Sequence, residues 1–313
     1  MRILVGGASG LLGRALLPRL TAAGHDVARL VRGSPNGGGA AKAARASATG
    51  RTVPWDPDRG LLEPSHLRGI DAVVHLGGVS IASGRWSVER KQAIFDSRVR
   101  STLLLAERIE AAPASARPRT FIVASATGYY GDRGDESLTE ASTAGEGFLA
   151  DVCRAGEEAA APARRAGVRV AHVRTGMVLA GEGGALAEML LPFRLGVGGP
   201  IGNGRQWWPW ISLDDVAAVF ARLVEDDSLS GAVNAVAPES VTSAEFARAL
   251  GHVLHRPAVL PVPAFALRIL LGEMADTLLL ASTRVVPEKL TRAGFGFAQP
   301  SLEETLRAVL LRG

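Results

Sequence analysis

The residues with the clearest chemistry stand at the start of the chain, where Gly7, Gly10 and Gly13 are spaced three apart in the run VGGASGLLG. A turn built from glycine lets backbone N–H groups approach a ligand closely. An apolar run, Ile3–Val5, precedes this turn, and a segment of helical spacing, Leu11–Leu20, follows it. Because the N-terminus of a helix attracts anions, the pattern predicts a site for a dinucleotide pyrophosphate. The expected contacts are Gly7, Ala8, Ser9, Gly10, Leu11, Leu12 and Gly13.

Arg32 indicates the type of dinucleotide. It directly follows the second predicted strand, His25–Val31. At this position an acid binds the ribose 2′-hydroxyl of NAD, whereas an arginine accommodates the 2′-phosphate of NADP. The nearby acid, Asp26, stands at the beginning of the strand and not at its end. The sequence therefore predicts NADP(H), with Arg29 as a second contact. A solvated surface arginine is the alternative interpretation.

Strands and helices alternate along the chain and must position these residues. Several strands are continuous apolar runs, which is typical of strands buried on both faces of a parallel sheet. The alternation predicts an α/β fold with a Rossmann doubly wound parallel sheet that binds its ligand at the carboxyl ends of the strands. The predicted strands are Ile3–Val5, His25–Val31, Asp71–Leu76, Thr120–Ser125, Val168–Arg174 and Ala232–Val236, and the helices are Leu11–Leu20, Arg98–Ala111, Phe148–Arg165 and Asp214–Glu225.

Two segments richer in proline, glycine and aromatic residues interrupt this pattern and predict a smaller lobe that caps the sheet. We expect residues 1–184 plus 211–239 to form the NADP-binding Rossmann domain and residues 185–210 plus 240–313 to form the smaller C-terminal substrate-capping lobe. The Gly/Ala/Ser-rich stretch Gly33–Gly50 is expected to be a mobile surface loop.

Composition excludes several classes of protein. No apolar stretch reaches the roughly 18 to 20 uninterrupted residues of a membrane span, so no membrane partner is expected. Cys153 is the single cysteine, which fits a reducing compartment and predicts a cytoplasmic protein. The net charge of +4 comes from scattered arginines without a basic stripe, so no nucleic acid partner is expected. No cluster of suitable ligands is spaced to bind a metal.

With these motifs placed, the chain resembles the extended and atypical short-chain dehydrogenase/reductases, and within them the group labelled "epimerase family", related to NAD-dependent epimerases and dehydratases and carrying a characteristic C-terminal region. The resemblance covers essentially the whole chain. It rests on VGGASGLLG and on DAVVHLGG, SATGYYGDRG, RTGMVL, LLPFRLGVGGPIGNGRQWWPWISLDDVA and HRPAVLPVPAFALRILLGE, which begin at Asp71, Ser125, Arg174, Leu190 and His255.

The resemblance implies where a bound NADP(H) would lie. The segment Leu76, Gly77 and Gly78 would pass near the adenosine ribose, and Ser125 would lie near the nicotinamide. The loop 193–210 would roof the substrate pocket. Extended relatives often pair through two helices, which implies a homodimer.

The resemblance also implies a tyrosine that exchanges a proton with the substrate and a lysine four residues later. Tyr129 and Tyr130 are the only tyrosines, and the residues four positions later are Arg133 and Gly134. The usual pair is therefore absent. In one interpretation Tyr130 or Tyr129 is the acid or base. In the other, the site binds the cofactor and turns over little or nothing.

The first interpretation needs two further groups. Ser125 or Thr127 would polarise the carbonyl oxygen of the substrate. Arg133 or Arg205 would lower the tyrosine pKa in place of the lysine. A merely structural alternative is that one of the two tyrosine rings is packed in the core and the other lies at its rim.

The roof segment supplies the expected substrate contacts. Three tryptophans within four residues, next to an arginine and a glutamine, are suited to stack on a ring and to bind an anion or hydroxyl groups. Packing of these rings between the two lobes is the alternative. The expected contacts are Phe193, Arg194, Arg205, Gln206 and Trp207.

Together these features predict an NADP(H)-dependent oxidoreductase or epimerase that acts on a small polar or sugar-nucleotide-like substrate. The alternative is a catalytically weak or inactive protein that uses the same fold as an NADP(H) sensor or scaffold.

Overall fold

The computed structural model describes residues 1–33 and 51–310 of the chain. The predicted loop Gly33–Gly50 lies outside these residues except for Gly33. The strands are β1 (Arg2–Gly6), β2 (Asp26–Arg32), β3 (Thr52–Trp55), β4 (Ala72–His75), β5 (Thr120–Ala126), β6 (Ser137–Leu138), β7 (Arg169–Thr175), β8 (Met177–Leu179), β9 (Trp207–Trp208), β10 (Trp210–Ser212), β11 (Gly231–Ala235), β12 (Val241–Thr242) and β13 (Arg284–Val285).

Eleven α-helices occur in the same part of the chain. They are α1 (Leu11–Ala22), α2 (Val88–Ala111), α3 (Phe148–Glu158), α4 (Ala161–Arg165), α5 (Gly184–Arg194), α6 (Leu213–Glu225), α7 (Ser243–Leu254), α8 (Ala264–Leu271), α9 (Glu273–Ala275), α10 (Glu288–Arg292) and α11 (Leu302–Leu310). Within the described residues, none of these helices combines the length and the hydropathy of a membrane-spanning segment.

Seven strands form one parallel sheet in the order β3-β2-β1-β4-β5-β7-β11. The strand order reverses between β1 and β4, the point at which doubly wound sheets bind ligands. The predicted doubly wound fold is therefore confirmed. The edge strand β3, which contains Pro54, was not predicted from the sequence. Proline weakens a strand pattern, and edge positions are where sheets tolerate it.

Successive side chains of a strand point to opposite faces of the sheet, and each face packs in its own apolar cluster. Ile3 and Val5 of β1 pack in one apolar cluster with helices α1 and α6. Leu4, between them, packs in a second cluster with α2 and α4. All three side chains are fully buried. Two helical layers therefore hold the sheet rigid, and the ends of its strands are left to form the site.

Helices α1 and α6 differ from their predicted bounds by one or two residues at one end, and the other two predicted helices differ more. Helix α2 begins at Val88 and not at Arg98, because the Ser87 side chain accepts a hydrogen bond from the backbone N–H of Arg90 and caps the earlier start. The single helix predicted over Phe148–Arg165 is divided into α3 and α4. Pro162 lies in the first turn of α4, where its missing N–H is tolerated.

A third apolar cluster lies outside the two sheet faces. It combines Phe193 of α5, Trp208, Trp210 and Phe246 of α7 with residues of α11. Residues of the C-terminal segment also return to the sheet, since Leu290 and Phe295 pack in the first cluster. We therefore keep the division into a Rossmann domain and a capping lobe as a proposal based on this third cluster.

Candidate functional site

The glycine turn lies at the carboxyl end of β1, where the strand passes into α1. Gly7 has a φ of 77°, a left-handed conformation that favours glycine. The N–H of Gly10 donates to the carbonyl of Gly7 at 3.1 Å and closes the turn. Gly10 is also the N-cap of α1 and provides no side chain to cap the helix. The first backbone N–H groups of α1 are therefore available to an anion, as the sequence predicts.

Gly7, Gly10 and Gly13 have different roles in this turn. A Cβ atom on Gly7 would lie 2.7 Å from the backbone nitrogen of Gly77, and one on Gly13 would lie 2.6 Å from the carbonyl oxygen of Ala8. A Cβ on Gly10 would meet no described atom closer than the carbonyl oxygen of Gly7, at 3.4 Å. Gly7 and Gly13 therefore allow close packing, whereas Gly10 leaves its outer surface open to a ligand.

The contact of Gly7 with Gly77 joins two sets of residues that are distant in the sequence. We call Gly7–Gly13 together with Leu76–Gly78 the glycine cradle. His75 packs beneath it, and a Cβ on Gly77 would lie 2.6 Å from the Cε1 of this imidazole. The structure thus brings the expected pyrophosphate and adenosine contacts to one edge of the sheet.

Arg32 lies next to the glycine cradle. In the pairing of β1 with β2, Gly6 stands opposite Leu30, so Arg32 lies beyond the carboxyl end of β1. Its side chain is 55% exposed, and its Nη1 lies 3.4 Å from an Oδ2 of the exposed Asp58. Asp26 lies at the other end of β2 and pairs there with Arg2 at 3.1 Å. No acid of β2 therefore stands at the edge where a ribose would bind.

A cleft of about 620 Å³, including its open mouth, continues from the glycine cradle between α2 and α3. It contains Ser125, at the carboxyl end of β5. The Ser125 hydroxyl donates to an Oε1 of Glu157 on α3 at 2.8 Å. The cleft is lined by Leu76, Gly77, Gly78, Arg98, Thr102, Val123, Ala124, Ser125, Ala126, Val152, Cys153, Gly156 and Glu157.

Glu157 is part of a buried hydrogen-bonded chain that the sequence did not reveal. Arg174 on β7 stands opposite Ser125 on β5 in the parallel pairing. Its Nε and Nη2 donate to the two carboxylate oxygens of Glu157 at 2.9 and 2.8 Å. Its Nη1 donates to the Tyr130 hydroxyl at 3.0 Å. We call Ser125, Glu157, Arg174 and Tyr130 the buried network.

The charges in the buried network stabilise one another. Burial acts to lower the pKa of Arg174, but the hydrogen bonds and charge of Glu157 outweigh it, and the pKa of this guanidinium is raised. The side chains of Arg174 and Glu157 are 4% and 13% exposed. A bidentate pair this well shielded fixes the carboxylate beside Ser125.

The two tyrosines occupy different environments. Tyr130 is fully buried, and its hydroxyl lies 2.7 Å from an Oδ1 of Asn234. Burial raises the pKa of Tyr130, although Arg174 acts in the opposite direction. Tyr129 is partly exposed, and the Arg174 guanidinium lies over its ring at 3.4 Å from the centroid. This arrangement does not present the Tyr130 hydroxyl to the cleft, so its role as a proton donor stays a sequence-based prediction.

The cation beside Tyr130 is not the one expected from the sequence. Arg133 donates to both carboxylate oxygens of Glu136, at 2.8 and 2.7 Å. Arg205 is exposed. Arg174 takes the place predicted for Arg133 or Arg205, because parallel pairing, and not sequence spacing, brings β7 beside β5. The signal that could have identified it is an arginine at the end of an apolar strand, since such ends meet at the site.

The residues expected to contact substrate are dispersed. Phe193 is buried in the third apolar cluster. Gln206 is buried and donates to the carbonyl oxygens of Ile201 and Leu279, each at 3.0 Å. The Trp207 indole donates to an Oδ1 of Asp135 at 2.8 Å. Arg194 and Arg205 are exposed. Among the described residues that line the cleft, none of these five occurs.

Cys153 and Asp215 have mainly structural environments. Burial raises the pKa of the Cys153 thiol to about 11, so it is not a reactive thiolate near neutral pH, although it lines the cleft. Asp215 is buried at the start of α6, where Ser212 is the N-cap. Its carboxylate accepts hydrogen bonds from the backbone N–H groups of Ala298 and Gln299, at 2.8 and 3.0 Å. It therefore anchors the C-terminal segment to the start of α6.

Comparison with known proteins is consistent with this geometry. An epimerase family protein of Mycobacterium tuberculosis is 42% identical over 304 residues, which are 97% of this chain and 96% of that protein. The crystal structure of the human epimerase family protein SDR39U1 (isoform 2) with NADPH matches with a TM-score of 0.84 and 32% identity, covering 100% of both chains. A nucleoside-diphosphate sugar epimerase from Corynebacterium glutamicum matches with a TM-score of 0.76 and 36% identity, over 99% of this chain and 58% of that one.

Two family profiles match different parts of the chain. Residues 262–309 match a domain described as "Domain of unknown function (DUF1731)", which corresponds to the characteristic C-terminal region seen in the sequence. Residues 3–235 match the profile described as "NAD dependent epimerase/dehydratase family". That match covers the sheet, the glycine cradle and the buried network. The chain therefore belongs to the NAD-dependent epimerase/dehydratase family.

Proposed function

We propose that this protein binds NADPH along the carboxyl edge of the sheet and uses it as an oxidoreductase or epimerase. The observation that carries this proposal is the glycine cradle, where added Cβ atoms on Gly7 and Gly13 would overlap backbone atoms while Gly10 stays open. Its shape and the free N-terminus of α1 suit a diphosphate. The human relative was crystallised with NADPH, which supports the same choice here.

A preference for NADPH over NADH rests on Arg32. Its guanidinium is exposed beside the glycine cradle, and its contact with Asp58 is long and solvated, so a 2′-phosphate can replace that partner. Arg29 lies opposite Val5 in the sheet, further from the edge. We therefore assign the main contact to Arg32 and a weaker one to Arg29.

The proposed chemistry depends on Ser125 and Glu157. NADPH, when bound, supplies a hydride, or its oxidised form accepts one. Because the Ser125 hydroxyl donates to Glu157, its oxygen can accept a hydrogen bond from a substrate alcohol. A proton leaving that alcohol would pass to the Ser125 oxygen as the Ser125 proton passes to Glu157. Arg174 holds the carboxylate in place, and Tyr130 holds Arg174, which makes Tyr130 a positioning residue.

The substrate class is a small polar or sugar-nucleotide-like molecule. The Corynebacterium relative, described as a nucleoside-diphosphate sugar epimerase, supports a phosphorylated sugar. The exposed guanidinium groups of Arg194 and Arg205 are the substrate contacts we retain from the sequence. Phe193, Gln206 and Trp207 are engaged in packing or internal hydrogen bonds, so we propose that they shape the roof and do not bind the substrate.

A second candidate function is an NADP(H) sensor or scaffold. It is favoured by the absence of the tyrosine–lysine pair and by the complete burial of Tyr130. The cytoplasmic location and the homodimer stay predictions. The buried thiol of Cys153 agrees with a reducing compartment without requiring one.

One experiment separates the two functions. NADPH is titrated into the protein, and its absorbance is then followed with a panel of carbonyl compounds and sugar nucleotides. The proposal predicts binding and, with at least one compound, either net oxidation of NADPH or, for a sugar nucleotide incubated with NADP⁺, conversion to its epimer detected by chromatography. Ser125→Ala should lower that rate by roughly 100-fold, a typical effect of losing a proton-transfer group. Tight binding with neither oxidation of NADPH nor formation of an epimer across the panel would favour the sensor. Lack of binding would overturn both.

A further inference from the structure

Arg98 is a cation of the cleft to which neither the sequence motifs nor the family profiles give a role. It lies on α2, and its guanidinium packs against Gly78. A Cβ on Gly78 would lie 3.0 Å from the Arg98 Cζ and 3.1 Å from its Nη2. The absence of a side chain at Gly78 therefore makes room for this guanidinium beside the glycine cradle.

The guanidinium is held in a fixed position by one nitrogen. Its Nη1 donates to the carbonyl oxygens of Val79 and Ile94, at 3.0 and 3.2 Å. Since an arginine offers five N–H donors, the Nε and Nη2 groups remain. Within residues 1–33 and 51–310, neither of these two nitrogens has a hydrogen-bond partner, and no carboxylate forms an ion pair with Arg98.

A partly buried cation without a counter-charge is unfavourable unless a ligand supplies the charge. Burial lowers the pKa of Arg98, which reflects the same loss of solvent. Arg98 lines the cleft together with Gly77 and Gly78. The geometry thus marks a place for an anionic group between the glycine cradle and Ser125.

The anion that the proposed function brings to this edge is the diphosphate of the dinucleotide. We propose that Arg98 binds this diphosphate from the α2 side, opposite the N-terminus of α1. The inference rests on the proposed cofactor and assigns its diphosphate a second, cationic contact. The α3 wall of the cleft supplies Val152, Cys153, Gly156 and Glu157, none of which is a cation, so the cation comes from α2. The one carboxylate of this wall, that of Glu157, is already paired with Arg174 at 2.8 Å.

The test measures dissociation constants for NADPH and NADH with the wild-type protein, Arg98→Gln and Arg98→Lys. A charge-assisted hydrogen bond to phosphate is worth enough to expect a loss of roughly 10- to 100-fold for Arg98→Gln. The loss is expected to be equal for both dinucleotides, because they share the diphosphate. Lysine restores part of the affinity because it keeps the charge. Arg100→Gln is the matched control, since Arg100 lies two residues along α2 and is 56% exposed.

Adenosine 2′-phosphate, which lacks the diphosphate, distinguishes a ligand contact from a general distortion. Its affinity is expected to be the same in all three proteins. If Arg98→Gln does not fold, Arg98→Lys decides the question by a weakened affinity for NADPH with an unchanged affinity for adenosine 2′-phosphate. Equal NADPH affinity in wild-type and variant proteins, or parallel losses for both ligands, would overturn the inference. Failure of the wild-type protein to bind NADPH would instead overturn the proposed function.

Discussion

The glycine cradle and the buried network lie at the same edge of one sheet but are encoded in different ways. The cradle takes most of its residues from one continuous run, Gly7–Gly13, in which backbone conformation is the decisive property. The network takes each member from a different element and depends on side-chain chemistry. A sequence motif therefore reports the first region and misses most of the second.

The glycine cradle and the buried network also differ in how they contribute to the stability of the fold. The glycines of the cradle bury little apolar surface. Substitution at Gly7 or Gly13 is unfavourable because the added side chain would overlap backbone atoms. In the buried network the stabilising element is a shielded charge pair, whose loss leaves a partner without compensation. We expect the network to dominate folding and the cradle to dominate cofactor binding.

The largest effect is expected in the buried network. Arg174→Met should lower the free energy of unfolding by about 3–5 kcal/mol, because it leaves the buried Glu157 carboxylate without its counter-charge. Arg222→Met is the matched control, since Arg222 also pairs with an acid, Asp226, but is 51% exposed. It should change stability by less than about 1 kcal/mol. Urea unfolding measures both, and equal losses would show that burial of the pair is unimportant.

Much of the fold was predictable because apolar runs and glycine positions are local signals. All six predicted sheet strands occur in the structure with their ends shifted by two residues or fewer. Glu157 and Arg174 were not predicted as site residues, because their meeting depends on the register of β5 with β7 and on the packing of α3. A glutamate in an alanine-rich helix has no local feature that distinguishes it from a solvated one.

The second-largest effect is expected in the pH dependence of stability. One buried histidine lies near each of the two regions. His75 and His172 both stand opposite Val123 in the sheet, one on each side. Burial, with added repulsion from Arg32 and Arg98, lowers the pKa of His75 to about 4. For His172, burial and the charges of Arg164 and Arg174 outweigh the attraction of Glu157, and its pKa is also about 4.

Unfolded histidine has a pKa near 6.5, so below that pH the unfolded chain binds protons that the folded protein does not. The stabilisation is therefore complete above pH 6.5 and is lost as the pH falls towards 4, by up to about 3 kcal/mol for each residue. Unfolding curves between pH 7 and pH 4.5 should show this slope, and His75→Gln or His172→Gln should each reduce it. An unchanged slope in both variants would mean that other groups cause the acid sensitivity.

The third effect is expected in the glycine cradle. Gly10→Val should weaken NADPH binding by roughly 100-fold or more, because its side chain would occupy the surface that the phosphate approaches. Stability should change by only about 1 kcal/mol, since a Cβ on Gly10 meets no described atom closer than 3.4 Å. Gly13→Ala is the contrasting variant, whose Cβ would lie 2.6 Å from backbone oxygens, and it should lose both binding and stability. Calorimetric titration and thermal unfolding together separate the two outcomes.

The smallest effect is expected at Arg32, which the sequence placed correctly at the sheet edge but which lies outside the tightly packed cradle. Arg32→Ala should weaken NADPH binding by roughly tenfold through loss of a solvated phosphate contact, and should leave NADH binding nearly unchanged. Arg59→Ala is a suitable control, because Arg59 is 70% exposed and pairs with a nearby acid, Asp56. Since Arg32 is itself 55% exposed, neither variant should alter the unfolding temperature. If Arg32→Ala weakens the binding of NADPH and NADH equally, Arg32 does not bind the 2′-phosphate. Its position at the end of β2 would then reflect only the arginine-rich composition of the chain.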